Sequence, residues 1–115
     1  MHEMSLMEGI LNRAQAALAG YKVAKVNSIT VKVGVLANVM PAAFDFAFEV
    51  LSKDTLLSGA QLITHLLPIS ARCPQCGEVF EQTNIPLQCP NCQAASGEVL
   101  GGTEVYLESI DFEEA

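Results

Sequence analysis

The sequence predicts an α+β fold with a zinc-ribbon-like insert, and three observations carry that prediction. Apolar residues recur at helical spacing in two segments, Met7 to Tyr21 and Phe44 to Leu51. Between them "VNSITVKVGVL" alternates apolar and polar residues, the pattern of a half-buried strand. Two Cys-x-x-Cys pairs then separate two further strand-like runs. The predicted order is helix, strand, helix, strand, cysteine segment, strand.

The first helix is marked by Ser5-Leu6-Met7-Glu8, which fits a capping box: the Ser hydroxyl takes one orphan N–H and the Glu carboxylate reaches back to another. Met7, Ile10, Leu11, Ala14, Leu18 and Tyr21 follow at helical spacing, and Gly20 is the stop. With that cap, Met1 to Met4 lie outside the helix. In the alternating stretch Ile29, Val31, Val33 and Val35 share one face. Pro41 suits the first turn of the second helix, "PAAFDFAFEVLSKDT", whose Phe44, Ala47, Phe48 and Leu51 form a core-facing stripe. "AQLITHLLPI" reads as a strand apolar on both faces. "TEVYLESIDF" reads as the last strand, and its register slips: Val105 and Leu107 share one face, Ile110 and Phe112 the other, so a bulge is expected near Glu108 or Ser109.

A chain of 115 residues, half of them apolar, is about one domain long and can bury a small core. Its longest apolar runs fall well short of the roughly 18 residues needed to span a bilayer. The N-terminus has neither the basic nor the apolar region of a signal peptide, so the expected location is cytoplasmic. Thirteen acidic residues face six basic ones for a formal net charge of −7. After Arg72 there are eight Asp or Glu and no Lys or Arg. Such a chain repels phosphate backbones, which argues against nucleic acid and anionic membranes as partners.

"CPQCG" and "CPNCQ" place Cys73, Cys76, Cys89 and Cys92 with twelve residues between the pairs. Two residues between thiols let one tight turn aim both sulfurs at a single ion, and two such turns complete a tetrahedron, with zinc the expected occupant. Gly77 can take the left-handed conformation that frees backbone N–H groups for the sulfurs; Gln93 stands at the matching place in the second pair and suits it less well. A redox dithiol would need a low-pKa thiol opening a helix, and neither pair precedes a helical pattern. Structural disulfides fit a cytoplasmic chain worst. Four thiolates leave no open coordination position, so the site is structural, and the chain shows no constellation that would make it an enzyme. Zinc holding this loop would add about −2 to an already acidic half.

His2 has its own geometry. The Met1 amine, the His2 backbone nitrogen and the His2 imidazole can close two fused chelate rings around one ion, a planar nitrogen set that suits Ni(II) and Cu(II). The backbone nitrogen or carboxylate of Glu3, or a ligand from elsewhere, could fill the fourth place. The only other histidine, His65, lies among Ile63, Leu66 and Leu67 and reads as a packed or edge-exposed strand residue rather than a ligand.

"MHEMSL", "GVLANVMPAAFDFAFEVLSKDT", the two cysteine pairs and "GGTEVYLESIDFEE" together resemble the hydrogenase maturation nickel metallochaperones of the HypA/HybF family, from Met1 to about Glu113. The resemblance implies two helices on a small three-stranded, mainly antiparallel sheet, residues 1–70 completed by a strand in 100–115. This part binds Ni(II) through Met1, His2 and Glu3. A zinc domain, residues 71–99, is held by Cys73, Cys76, Cys89 and Cys92. The implied partners are a nickel-binding GTPase of the same pathway and the large subunit of [NiFe]-hydrogenase, with urease also served in some members; monomer or homodimer is left open. Several relatives carry Cys where this chain has Met7, and some have His beside the zinc cysteines; neither is present here. Outside that family, the competing readings are a zinc-ribbon adaptor that binds other proteins and a thiol-disulfide oxidoreductase.

Overall fold

The computed structural model describes residues 2–95 and 97–115. It contains helix α1 (His2–Leu18), strand β1 (Val23–Gly34), a 3-10 turn (Val35–Ala37), helix α2 (Pro41–Leu51), and strands β2 (Gln61–Leu67), β3 (Ile69–Arg72), β4 (Val79–Gln82), β5 (Glu98–Gly101) and β6 (Val105–Glu114). The strands make two three-stranded sheets, ordered β2-β1-β6 and β4-β3-β5. The chain divides into two compact units: residues up to Lys32 with Val39–His65 and Val105–Ala115, and Val33–Asn38 with Leu66–Glu104. The α+β class and the inserted cysteine ribbon are both present, and the ribbon carries a sheet of its own.

In the first unit α1 packs against α2 and touches β6. The expected stripe is buried in α1 as Met7, Ile10, Leu11, Ala14 and Leu18. Tyr21 lies past the end of this helix, half-exposed, with its ring edge-on to Phe112 at 5.1 Å between centroids. The helix does not wait for a cap at Ser5, as its local pattern suggested; it already includes His2. A tertiary contact explains the extra turn. The Glu3 carboxylate accepts a hydrogen bond from the Met40 N–H at 3.1 Å, tying the start of α1 to the residue that caps α2. That bond satisfies an N–H which the α2 N-terminus leaves without an intrahelical partner.

Pro41 occupies the first turn of α2, and Phe44, Ala47 and Phe48 are buried beneath it. The helix ends at Leu51, short of the expected Thr55; the chain turns at Ser52, where Thr55 Oγ1 donates to the Ser52 carbonyl at 2.6 Å. β1 buries Ile29, Val31 and Val33, as its alternation requires, and also Val26, which lies out of phase with them, while Val35 falls in the 3-10 turn. β1 and β6 run antiparallel, with Gly34 N–H bonded to the Glu104 carbonyl at 2.7 Å and Ala115 N–H to the Lys22 carbonyl at 2.8 Å. Along β6 the less exposed positions are Val105 and Leu107, then Ile110 and Phe112, so the face changes at Glu108 and Ser109 where the sequence places it.

β2 departs from its expectation. A strand apolar on both faces should be buried on both, yet Thr64 and Leu66 are exposed, and His65 takes the edge-exposed of the two places open to it. The reason is position: β2 is an outer strand of its sheet. Pro68 follows it, removes a backbone donor and marks the change from one sheet to the other.

In the second unit β3 pairs antiparallel with β4, Ala71 opposite Phe80 and Arg72 opposite Val79, and antiparallel with β5 after a register shift between Ser70 and Ala71. Ala71, Cys73, Phe80 and Cys89 form its small core, with Leu87 and Ala94 packed against it. Residues 33–38 are held to this unit by Leu36 N–H bonding the Gly102 carbonyl at 2.8 Å. Gly34 is required there: a Cβ on it would stand 2.1 Å from the Gly102 carbonyl oxygen.

Candidate metal centre

The first cysteine pair is the turn of the β3–β4 hairpin. Cys73 N–H bonds the Glu78 carbonyl at 2.8 Å, continuing the ladder by one step, and Gly77 N–H bonds the Cys73 carbonyl at 2.9 Å. The second pair repeats both bonds, Cys89 N–H to Ala94 at 3.0 Å and Gln93 N–H to Cys89 at 2.8 Å. Gly77 has φ of +78° and Gln93 φ of +64°. Gln93 therefore adopts the left-handed conformation that its type disfavours, and the two knuckles are conformational copies.

These turns bring four sulfurs together, all within 4.8 Å of one another. Cys73 and Cys92 are 3.4 Å apart and Cys76 and Cys89 3.6 Å. Four ligands on a zinc ion at Zn–S of about 2.3 Å would be separated by about 3.8 Å, so the cluster has the size and donor chemistry of a tetrahedral thiolate site. Cys73 and Cys89 are buried; Cys76 and Cys92 are exposed. Among the described residues no other set of three or more His, Cys, Asp or Glu donors converges, and His65 stands apart on β2.

The electrostatics point the same way. The Asn91 side chain, then the Glu78 backbone N–H, lower the Cys76 thiol to about 6. The backbone N–H of Cys76, followed by that of Gln75, lowers Cys73. At Cys92 the Ala94 N–H pulls down, but the sulfurs of Cys73, Cys76 and Cys89, with desolvation, outweigh it and push the thiol up to about 12. Sulfurs this close cannot all carry charge without a cation, and a bound divalent ion removes the conflict by deprotonating every ligand. Asn91 went unremarked in the sequence, since nothing in "CPNCQ" says which way its amide faces.

At the other end of the chain, His2 and Glu3 are brought together. His2 Nδ1 lies 3.8 Å from Glu3 Oε2, with the imidazole side chain 56% exposed and the carboxylate 12%. The Met40 N–H, first, and the Glu3 backbone, next, hold the Glu3 carboxyl below the usual carboxylate range, with His2 adding to them. Met1, the third expected nickel ligand, lies outside the described residues.

A two-helix α+β unit joined to a closed four-thiolate ribbon defines a small metal-handling protein with no open coordination site on its ribbon. The family described as hydrogenase/urease nickel incorporation, metallochaperone, HypA, matches residues 1–112. The hydrogenase maturation factor HypA of Desulfitobacterium hafniense is 39% identical over 114 residues, 99% of this chain and 100% of that one. That of Picosynechococcus is 34% identical over 111 residues, 96% of this chain and 98% of the other. The solution structure of the Ni metallochaperone HypA from Helicobacter pylori shares the fold, with a TM-score of 0.69 at 20% identity and full coverage of both chains. The chain belongs to the HypA family of nickel-incorporation metallochaperones of hydrogenase maturation.

Proposed function

We propose that this chain binds Ni(II) as cargo at its N-terminus, through the nitrogens of Met1, His2 and Glu3 and the His2 imidazole, and hands it to the large subunit of a [NiFe]-hydrogenase in the cytoplasm. The observation that carries this reading is the exposed His2 ring at the first turn of α1, with the Glu3 carboxylate 3.8 Å away. The start of α1 at His2 does not occupy the amides. The first four N–H groups of a helix have no intrahelical acceptor, so the nitrogens of His2 and Glu3 stay available. Glu3, anchored on Met40, holds its carboxylate beside the His2 ring.

Residues 1–70 with 100–115 would carry the nickel end, and 71–99 a structural zinc on Cys73, Cys76, Cys89 and Cys92. Zinc supplies folding free energy to that ribbon and no open position for chemistry. A nickel-binding GTPase is the expected partner in transfer, and urease the second recipient. A terminal site suits a carrier, because a chain end can release its ion without unfolding a cage.

Optical titration tests the site. The protein with a native terminus should show the d–d band of square-planar, diamagnetic nickel. His2→Ala should lose it, as should one residue inserted between Met1 and His2 or a tag that converts the amine to a peptide bond. Tight one-to-one binding retained by the tagged protein would move the site elsewhere, with His65 the first place to look.

A further inference from the structure

The sheet β2-β1-β6 leaves β6 as an outer strand ten residues long, with one row of backbone N–H and C=O groups turned away from β1. Beside it, between α1 and β6, run two grooves of about 310 and 290 Å³. The first is lined by Leu6, Gly9, Arg13 and Leu107, the second by Leu18, Tyr21, Leu107 and Phe112. The shared Leu107 joins them into one seam along the helix. Its lining is mainly apolar, Tyr21 and Tyr106 are exposed, and a Cβ on Gly9 would meet nothing within 4 Å.

We propose that this seam and the free edge of β6 together dock an extended segment of a partner protein, in which apolar residues alternate with Lys or Arg. The segment adds a strand to β6, its apolar side chains enter the seam, and its cations face the acids of the edge.

Charge selects this occupant. β6 carries Glu108, Asp111, Glu113 and Glu114, all exposed, and no Lys or Arg of its own. Among the described residues Glu108 alone of these four has an ion-pair partner, Lys32 at 3.5 Å. A second copy of the chain laid antiparallel on this edge would set carboxylate against carboxylate, which is destabilising for directly opposed like charges. A basic segment turns the same four acids into attractions. Arg13 breaks the pattern at the other end: it lines the first groove opposite Val105 to Leu107. A segment with an acidic residue at that end and basic residues beyond would be read in one direction, giving the edge a polarity as well as a charge. Strand addition of this kind takes its affinity from the backbone ladder and its selectivity from alternate side chains. The inference does not rest on the nickel site.

The test uses the full zinc-loaded chain without nickel and two fluorescent decapeptides of alternating valine, one with Lys at the intervening positions and one with Glu. The lysine peptide should bind with an affinity that falls steeply with salt, slow amide exchange within 105–114, and outbind the glutamate peptide at least tenfold. Asp111→Lys combined with Glu113→Lys should reverse that preference. Gly9→Leu, which adds a side chain into the seam at an exposed helical position and favours the helix, should weaken the lysine peptide about tenfold with no fall in melting temperature. Equal binding of both peptides, protection outside 105–114, or no effect of Gly9→Leu would overturn the proposal. So would a free protein that sediments as a dimer with 105–114 already protected, since a second copy would then occupy the edge.

Discussion

Single residues explain where local sequence signals succeed and where they mislead. Gly77 and Gln93 hold the same left-handed conformation in the two knuckles, at φ of +78° and +64°. The glycine was readable as such; Gln93 was not, because the fold imposes a conformation that a glutamine does not announce. Gln93→Gly should therefore stabilise the ribbon by about 1 kcal/mol, and Gly77→Ala should cost about the same, read by chelator competition against the bound zinc. Gly34→Ala belongs to a different class, since its Cβ meets backbone at 2.1 Å and no side chain can move aside. It should cost about 3 kcal/mol in global stability, the upper range for overpacking. Glu3 supplies a pH signature. Its folded carboxyl titrates below its ordinary range, chiefly through the Met40 N–H, so its contribution is present above the unfolded carboxylate pKa and is lost as pH falls through the folded one. Glu3→Gln should lower the melting temperature at pH 7, and the difference from the parent should shrink as pH falls through the titration of the folded carboxyl.

The elements were legible wherever a periodic pattern buries one face. Both helical stripes, the alternation of β1 and the change of face in β6 follow from the spacing of apolar residues alone. Position in a sheet was not legible: "QLITHLL" has the composition of a buried strand and lies on an edge. Nor was the second sheet, whose β4 and β5 are four residues each, β5 reaching β3 only across the whole cysteine segment. The contrast between Phe44, 1% exposed, and Phe46, 57% exposed, tests the reading of α2. Phe44→Ala should lose about 3 to 5 kcal/mol and Phe46→Ala under about 0.5 kcal/mol in denaturant unfolding. Around the sulfurs of the second unit the buried cluster is Ala71, Cys73, Phe80 and Cys89 with two flanking residues, while Val79 and Ile85 are exposed. So small a core cannot offset the entropy of ordering its strands, and the metal must make up the difference. Cys73→Ala or zinc removal should abolish slow amide exchange in 69–101 and leave the far-ultraviolet helical signal of α1 and α2 in place.

At the scale of the whole molecule, two metal-related features occupy separate stretches of chain and ask for different behaviour. The four cysteines converge with Cys73 and Cys89 buried, an arrangement suited to an ion that stays. The chain start offers an exposed imidazole and a nearby carboxylate, an arrangement suited to an ion that must leave. The cysteine cluster could be read from spacing alone, because Cys-x-x-Cys fixes its own geometry; the tie of Glu3 to Met40 joins residues 37 apart in the chain, which no local pattern encodes. The central claim is that cargo nickel and structural zinc use different residues. Native mass spectrometry of untagged parent and His2→Ala proteins, each titrated with Ni(II), measures both ions on one chain. One zinc and one nickel are expected on the parent, and one zinc with no tightly held nickel on His2→Ala; a His2→Ala protein that keeps one nickel, or a parent in which nickel replaces zinc, would show that the two ions do not use separate residues.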